Sequence, residues 1–357
     1  MMQLLNLLLI EILEGWIGGK QPVADELQQL AVWELADEAR SRAFGINAEN
    51  VSEIILARAN LFQSIAATIL ELPLKSINLL ATSWNLWLPL AIQLATERES
   101  LGRTLIQGIL GGQGTGKTTL AAILKLILEK LGNKTISLSL DDLYKTYDER
   151  QRLQEEDPRL IWRGPPGTHD LELGIEVLDR LRDRGNLRLP QHEKSKSILI
   201  PRFDKSLWGG AGDRTEPEIV TDVDIVLFEG WFVGIRPIEV DIFDVNLPPI
   251  VTSEDRQFAD DMNRKLGDYL PVWERLDRLI VLQPIDYRLS QVWRLQAERE
   301  MRAAGKSGMS DEEINRFVEY FWKALHPELF INPLVSNSEL VDLVVEINAD
   351  HSMGRVY

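Results

Sequence analysis

Residues 111–119 read GGQGTGKTT and fill the pattern G-x-x-x-x-G-K-T with Gly111, Gly116, Lys117 and Thr118. Glycines at this spacing let backbone N–H groups wrap an anion with no Cβ in the way. A lysine directly before a helix reaches the β- and γ-phosphates of a nucleotide, and the following hydroxyl is a ligand for Mg²⁺. Gly111, Gly112, Gln113, Gly114, Thr115, Gly116, Lys117, Thr118 and Thr119 are therefore the expected nucleotide contacts. ATP is the expected nucleotide: the N-K-x-D guanine signature is missing, since Asn133-Lys134 runs on into Thr135-Ile136.

Phosphoryl transfer also needs acids near that loop. Asp141-Asp142-Leu143-Tyr144 follows the apolar run 134–140 (KTISLSL), and Glu229 follows 222–228 (DVDIVLF). An acid at a strand end beside a phosphate loop holds Mg²⁺ or accepts a proton from an acceptor hydroxyl. Thr118, Glu229 and Asp141 are the candidate Mg²⁺ ligands. Asp141 and Asp142 both remain candidates for the proton acceptor.

Two further stretches carry clustered charge. A long segment at about 150–220 holds RGPPGTHD (163–170), PRFDKS (201–206) and GGAGDR (209–214). Its arginines suit a carboxylate and its aspartates suit hydroxyls. Tyr144, Asp142, Arg163, His169, Asp170, Arg202, Asp204, Lys205 and Arg214 are the acceptor-site candidates. A helix expected near 287–304 carries Arg294, Arg299 and Arg302, Lys306 follows it, and Ser310 with Glu313 forms a capping box for a helix reaching about 325. Such a cationic helix pair reads as a lid over the phosphates.

The elements that must position these groups alternate. Apolar runs at 104–110, 134–140, 222–228, 276–282 and 340–347 read as strands separated by helices. The expected fold class is α/β, a P-loop NTPase-type three-layer αβα core with a mainly parallel sheet. Residues 1–100 read as an all-helical N-terminal subdomain, with an amphipathic segment at 22–42, and residues 101–357 as the kinase-type domain. Pro89 is expected to break the apolar stretch around Trp84 and Trp87.

Composition narrows the function classes. The 357 residues carry a formal net charge of −16, which argues against a nucleic-acid partner. With no cysteine, thiol catalysis and thiol regulation are excluded. The apolar run 4–10 is short and meets Glu11, so no signal peptide or membrane span is expected. Nothing in the sequence favours a monomer over a homo-oligomer.

Taken in order, GGQGTGKTT, SLDDLY, RGPPGTHD, PRFDKS with GAGDR, FEGW and WRLQAEREMR-x-x-GKSGMSDEE resemble the D-glycerate 3-kinases of plant and cyanobacterial type. That family is related to phosphoribulokinase, uridine kinase and pantothenate kinase, and the resemblance runs from about Trp84 to His351. It implies ATP- and Mg²⁺-dependent phosphorylation of a small-molecule substrate, D-glycerate, to 3-phosphoglycerate in photorespiration. It also implies Asp141 as the base, with Asp142 second, and Lys117 as the catalytic cation. Plant members carry a transit peptide, and some a cysteine-bearing extension. Neither is expected here, so a cytoplasmic bacterial or cyanobacterial enzyme is expected. A kinase with another acceptor, such as uridine, pantothenate or a sugar phosphate, would share the phosphate loop, as would a non-catalytic ATP-binding regulator.

Overall fold

A computed structural model describes residues 2–71, 78–184, 197–303, 305 and 308–357. Ten strands occur among them: β1 (Leu105–Gly111), β2 (Thr135–Ser139), β3 (Ile198–Ile200), β4 (Phe203–Asp204), β5 (Asp213–Arg214), β6 (Glu218–Val220), β7 (Ile225–Gly230), β8 (Arg278–Pro284), β9 (Leu343–Ile347) and β10 (Met353–Val356). Six form the central sheet in the order β10-β9-β8-β1-β7-β2, parallel throughout except for β10 against β9. The five apolar runs of the sequence are its five parallel strands. The antiparallel edge strand β10 is too short and polar to signal itself.

The sheet is buried on both faces because its strands carry apolar side chains at odd and even positions alike. Leu105 and Ile109 of β1, with Ile225, Leu227, Ile280 and Leu282, enter one core. Ile106 and Leu110, with Val226, Phe228, Leu279 and Val281, enter the other. Helices cover each face, which makes the three layers.

The N-terminal helices share the first core. Leu9, Leu13, Trp16, Leu30, Ile55, Phe62 and Trp84 pack in one cluster with Leu105, Ile109 and Leu120. Each such side chain contributes about 1.5–3 kcal/mol on full burial, so this region is fastened to the sheet rather than tethered to it. The segment 22–42 is two helices, Ala24–Ala36 and Glu38–Ala43. Asp37 divides them and caps the second by accepting from Arg40 N at 3.1 Å. Pro89 breaks nothing. The chain passes through a π-helical turn at Ser83–Trp87 and straight into Leu88–Leu101, and the Trp84 carbonyl, one turn before the proline, accepts from Arg58 Nη1 at 3.3 Å.

Helix Val51–Leu70 is long and apolar enough by composition to cross a membrane. Here its Ile55, Ala59, Phe62, Ile65 and Ile69 face the core. Its Arg58 is fully buried on Glu34, with Nη1 to Oε2 at 2.6 Å.

Candidate active site

β1 ends at Gly111, and helix Lys117–Lys130 begins directly after the glycine turn. Gly116 (φ +89°) and Gly114 (φ +78°) adopt left-handed backbone that other residues rarely take. A Cβ on Gly111 would stand 2.5 Å from Thr115 Oγ1, and one on Gly114 would stand 2.7 Å from Trp293 Cβ. The loop is therefore shaped by absent side chains on both flanks. Thr115 Oγ1 donates to the Gly112 carbonyl at 2.9 Å, and Lys117 Nζ donates to the same carbonyl at 3.0 Å. Burial lowers the proton affinity of Lys117, while Glu229 and Asp141 oppose that shift. Thr118 and Thr119 follow in the first turn, where backbone N–H groups have no helical partner.

Parallel pairing brings the acids to this loop. Glu229 sits opposite Ile109 of β1 and Ser139 of β2. Thr118 Oγ1 donates to Glu229 Oε1 at 3.4 Å. These are hard oxygen donors of the kind Mg²⁺ takes. Among the described residues no cluster of three or more His, Cys, Asp or Glu could hold a metal. A hydroxyl and a carboxylate at the phosphate loop fit an ion whose shell is completed by phosphate oxygens and water.

Asp141 and Asp142 occupy the same 3₁₀ turn, Leu140–Leu143, but differ in employment. Asp142 accepts from Ser139 N at 3.0 Å, Phe203 N at 3.3 Å and Arg202 Nη1 at 2.9 Å. Burial still raises its carboxyl above the ordinary value. Asp141 meets Lys205 Nζ at 2.5 Å. Burial pushes the Asp141 carboxyl up, but Lys205 and the Tyr144 hydroxyl hold it below the usual range.

The inserted segment wraps this pair. Tyr144 and His169 stack with ring centroids 4.6 Å apart. The Tyr269 hydroxyl accepts from Gly167 N at 2.9 Å and lies 2.7 Å from His169 Nδ1. That nitrogen is the one acceptor for the hydroxyl proton among the described residues, so we assign the His169 proton to Nε2. Nε2 is buried and has no partner among the described residues. Burial lowers the imidazole pKa to about 3, so the ring is neutral at working pH.

Most inserted charges are already engaged. Arg163 Nη1 donates to the carbonyls of Gly210 (2.7 Å) and Ala211 (3.0 Å). Arg202 pairs with Asp142 and, at 2.5 Å, with Glu218. Arg214 pairs with Asp170 at 2.8 Å and donates Nε to the Tyr144 carbonyl at 2.9 Å. Asp204 accepts from Ser206 N and Oγ at 2.8 and 2.6 Å.

Two contributors, Arg150 and Tyr269, carry no sequence signal, and Trp231 is marked only as the last residue of FEGW. Arg150 donates to the Ala211 carbonyl at 2.8 Å and to that of Gly212. Tyr269 fixes His169 across 100 residues. Trp231 donates to the Gly164 carbonyl at 3.2 Å and packs edge-on against Phe321. A cavity of about 390 Å³ opens beside Gly112, Gln113, Trp231, Tyr287 and Trp322, and neither acceptor-candidate loop lines it.

The expected lid region is two helices, Leu289–Ala303 and Asp311–Ala324, and the Ser310–Glu313 capping box is formed. Arg294 pairs with Glu298 at 2.5 Å, while Arg299 and Arg302 hold Asp311 at 2.6 and 2.7 Å. The lid cations are thus bound to carboxylates of their own helix pair. Lys306 lies outside the described residues.

No family model matches the chain. It is 32% identical over 260 residues to the chloroplastic D-glycerate 3-kinase of Arabidopsis thaliana, covering 70% of this chain and 53% of that protein. The match therefore spans about half the length of the plant relative. It is 33% identical to the uncharacterized kinase mug58 of Schizosaccharomyces pombe over 62% of this chain and 79% of that protein. Among solved structures, a D-glycerate 3-kinase from Cryptococcus neoformans superposes with a TM-score of 0.62 at 26% identity, over 75% of this chain and 96% of the other. The chain belongs to the glycerate-3-kinase-type family of P-loop kinases.

Proposed function

We propose that this protein transfers the γ-phosphoryl group of ATP to the terminal hydroxyl of D-glycerate, giving 3-phosphoglycerate and ADP. One juxtaposition carries the phosphoryl-transfer part. Glu229 in β7 lies 3.4 Å from the Thr118 hydroxyl at the start of the helix after β1, and both Glu229 and Asp141, the carboxylate after β2, favour the charged form of Lys117 beside it. The acceptor identity is supported by the names of the plant and fungal relatives.

In this reading the acceptor hydroxyl is held by Asp141. As its oxygen bonds to the γ-phosphorus, the bond from that phosphorus to the bridging oxygen breaks and ADP leaves. Asp141 takes the hydroxyl proton, and its main effect is orientation, because a loose phosphoryl transition state asks little of a base. Lys117 turns from the Gly112 carbonyl to the phosphates and stabilises the transferring charge. Magnesium, when bound, neutralises charge on the β- and γ-phosphates, and Thr118 and Glu229, with Asp141 alongside, would hold it. The glycines keep the loop's N–H groups open to phosphate oxygens.

A coupled ADP-release assay tests the reading, with D-glycerate, uridine, pantothenate and ribulose 5-phosphate offered in parallel. D-glycerate is expected to give the highest kcat/KM. Absence of turnover with D-glycerate, or preference for another acceptor, overturns the substrate.

A further inference from the structure

An acceptor that carries its own carboxylate brings a negative charge to Asp141 and Glu229, and three carboxylates repel unless a cation joins them. The arginines around the acceptor loops are poorly placed for that task. Arg150 and Arg163 hold carbonyls at the hairpin tip, 210–212. Arg202 is held by Asp142 and Glu218, and Arg214 by Asp170. Lys205 differs. Its ammonium lies 2.5 Å from Asp141 Oδ2, and its side chain is 61% exposed. An ammonium has three donors, and Asp141 takes one.

The backbone that presents Lys205 is fixed. Phe203 pairs with Arg214 and Asp204 with Asp213. The Asp204 carboxylate clasps Ser206, so Lys205 stands between two tied residues. Gly212 (φ +72°) leaves room for the Phe203 ring, which a Cβ would meet at 2.4 Å. A rigid hairpin thus carries one flexible cation to the candidate base.

We infer that Lys205 is the specificity-determining residue for the acceptor, bridging Asp141 to an acceptor carboxylate one or two carbons from the reacting hydroxyl. The inference rests on the proposed kinase reading and narrows it to short hydroxy acids. Lys205 is the exposed partner of this pair, so its ammonium can turn toward an incoming carboxylate while Asp141 keeps its place. The bridge keeps Asp141 aimed at the hydroxyl while cancelling repulsion from the acceptor. Neutral polyols gain nothing from it.

The test compares wild type, Lys205→Gln, Lys205→Arg and Arg163→Met in steady-state kinetics at saturating ATP and Mg²⁺. The acceptors are D-glycerate, 3-hydroxypropionate, uridine and the neutral amide of glycerate, and circular dichroism checks folding. Lys205→Gln is expected to raise the KM for D-glycerate roughly 10- to 100-fold, the loss of one hydrogen bond to a charged group, with the amide's KM unmoved and Lys205→Arg partly restoring recognition. An unchanged D-glycerate KM, equal losses on charged and neutral acceptors, or a selective loss in Arg163→Met instead would each overturn the assignment. Failure of the substrate reading looks different. If wild type prefers 3-hydroxypropionate, glycerate is wrong, and a selective Lys205→Gln loss on that acid still supports the bridge. A wild-type preference for uridine overturns both.

Discussion

The Thr118 hydroxyl lies 3.4 Å from Glu229 Oε1, although 111 residues separate them in the chain. Adjacent parallel strands produce this: β1 delivers Thr118 through the glycine turn, and β7 carries Glu229 at its own end. Two hard oxygens at that spacing invite a divalent cation that shares its remaining positions with phosphate. Glu229→Gln is expected to raise the Mg²⁺ concentration needed for half-maximal rate and to lower kcat. A magnesium titration of the rate that superposes on wild type would remove Glu229 from the metal site.

Lys117→Ala removes the cation that the proposed mechanism sets on the transferring group. Losing one such electrostatic contact costs about 2.7–4 kcal/mol, on the order of 10²–10³ in kcat. Circular dichroism should match wild type, because Lys117 Nζ bonds only a loop carbonyl here. Turnover within a few-fold of wild type would refute its catalytic role.

Asp141 and Asp142 should separate cleanly. Asp141→Asn is expected to lower kcat far more than it changes the acceptor KM. Asp142→Asn should act on stability instead, since its carboxylate holds two backbone N–H groups and Arg202. Leaving such partners unsatisfied costs about 1–3 kcal/mol, readable as a lower urea midpoint. The reverse pattern would make Asp142 the proton acceptor.

Acid should loosen the fold through His326. Its Nε2 donates to the Pro248 carbonyl at 3.1 Å, and its Nδ1 accepts from Glu328 N at 3.3 Å, so the ring is built in neutral. Burial lowers its pKa from 6.5 to about 4. The unfolded chain therefore binds the extra proton over that range. This contribution is whole above pH 6.5 and is lost as pH falls from about 6.5 toward 4. His326→Asn keeps a capping oxygen but cannot titrate, so its urea midpoint should fall less between pH 7 and pH 5 than that of wild type. Equal falls would show that His326 is not involved.

The buried pair Glu34–Arg58 joins the helices Ala24–Ala36 and Val51–Leu70, with Arg58 Nη1 also 3.3 Å from the Trp84 carbonyl. Losing Arg58 leaves Glu34 buried with Arg40 Nε, 3.5 Å away, as its remaining cation, so the cost stays within the about 3–5 kcal/mol of a broken buried pair. Arg58→Met is expected to lower the melting temperature by several degrees or more, followed by calorimetry. An unchanged melting temperature would show that the Arg40 contact alone is sufficient for Glu34.

The phosphate loop, the five parallel strands and the Ser310–Glu313 cap are legible in the sequence. Each is a local pattern: a spacing of glycines, an apolar run, a capping pair. Tertiary structure decided which charges remain available. Arg202 and Asp142, or Arg214 and Asp170, look identical in sequence to free acceptor-binding groups, because a pairing across 60 or 44 residues leaves no local period. The same holds for Lys205 on Asp141, for Tyr269 on His169, and for the N-terminal helices entering the sheet's own core. Local propensity selects elements, but only closure of the chain brings distant charges within hydrogen-bonding distance.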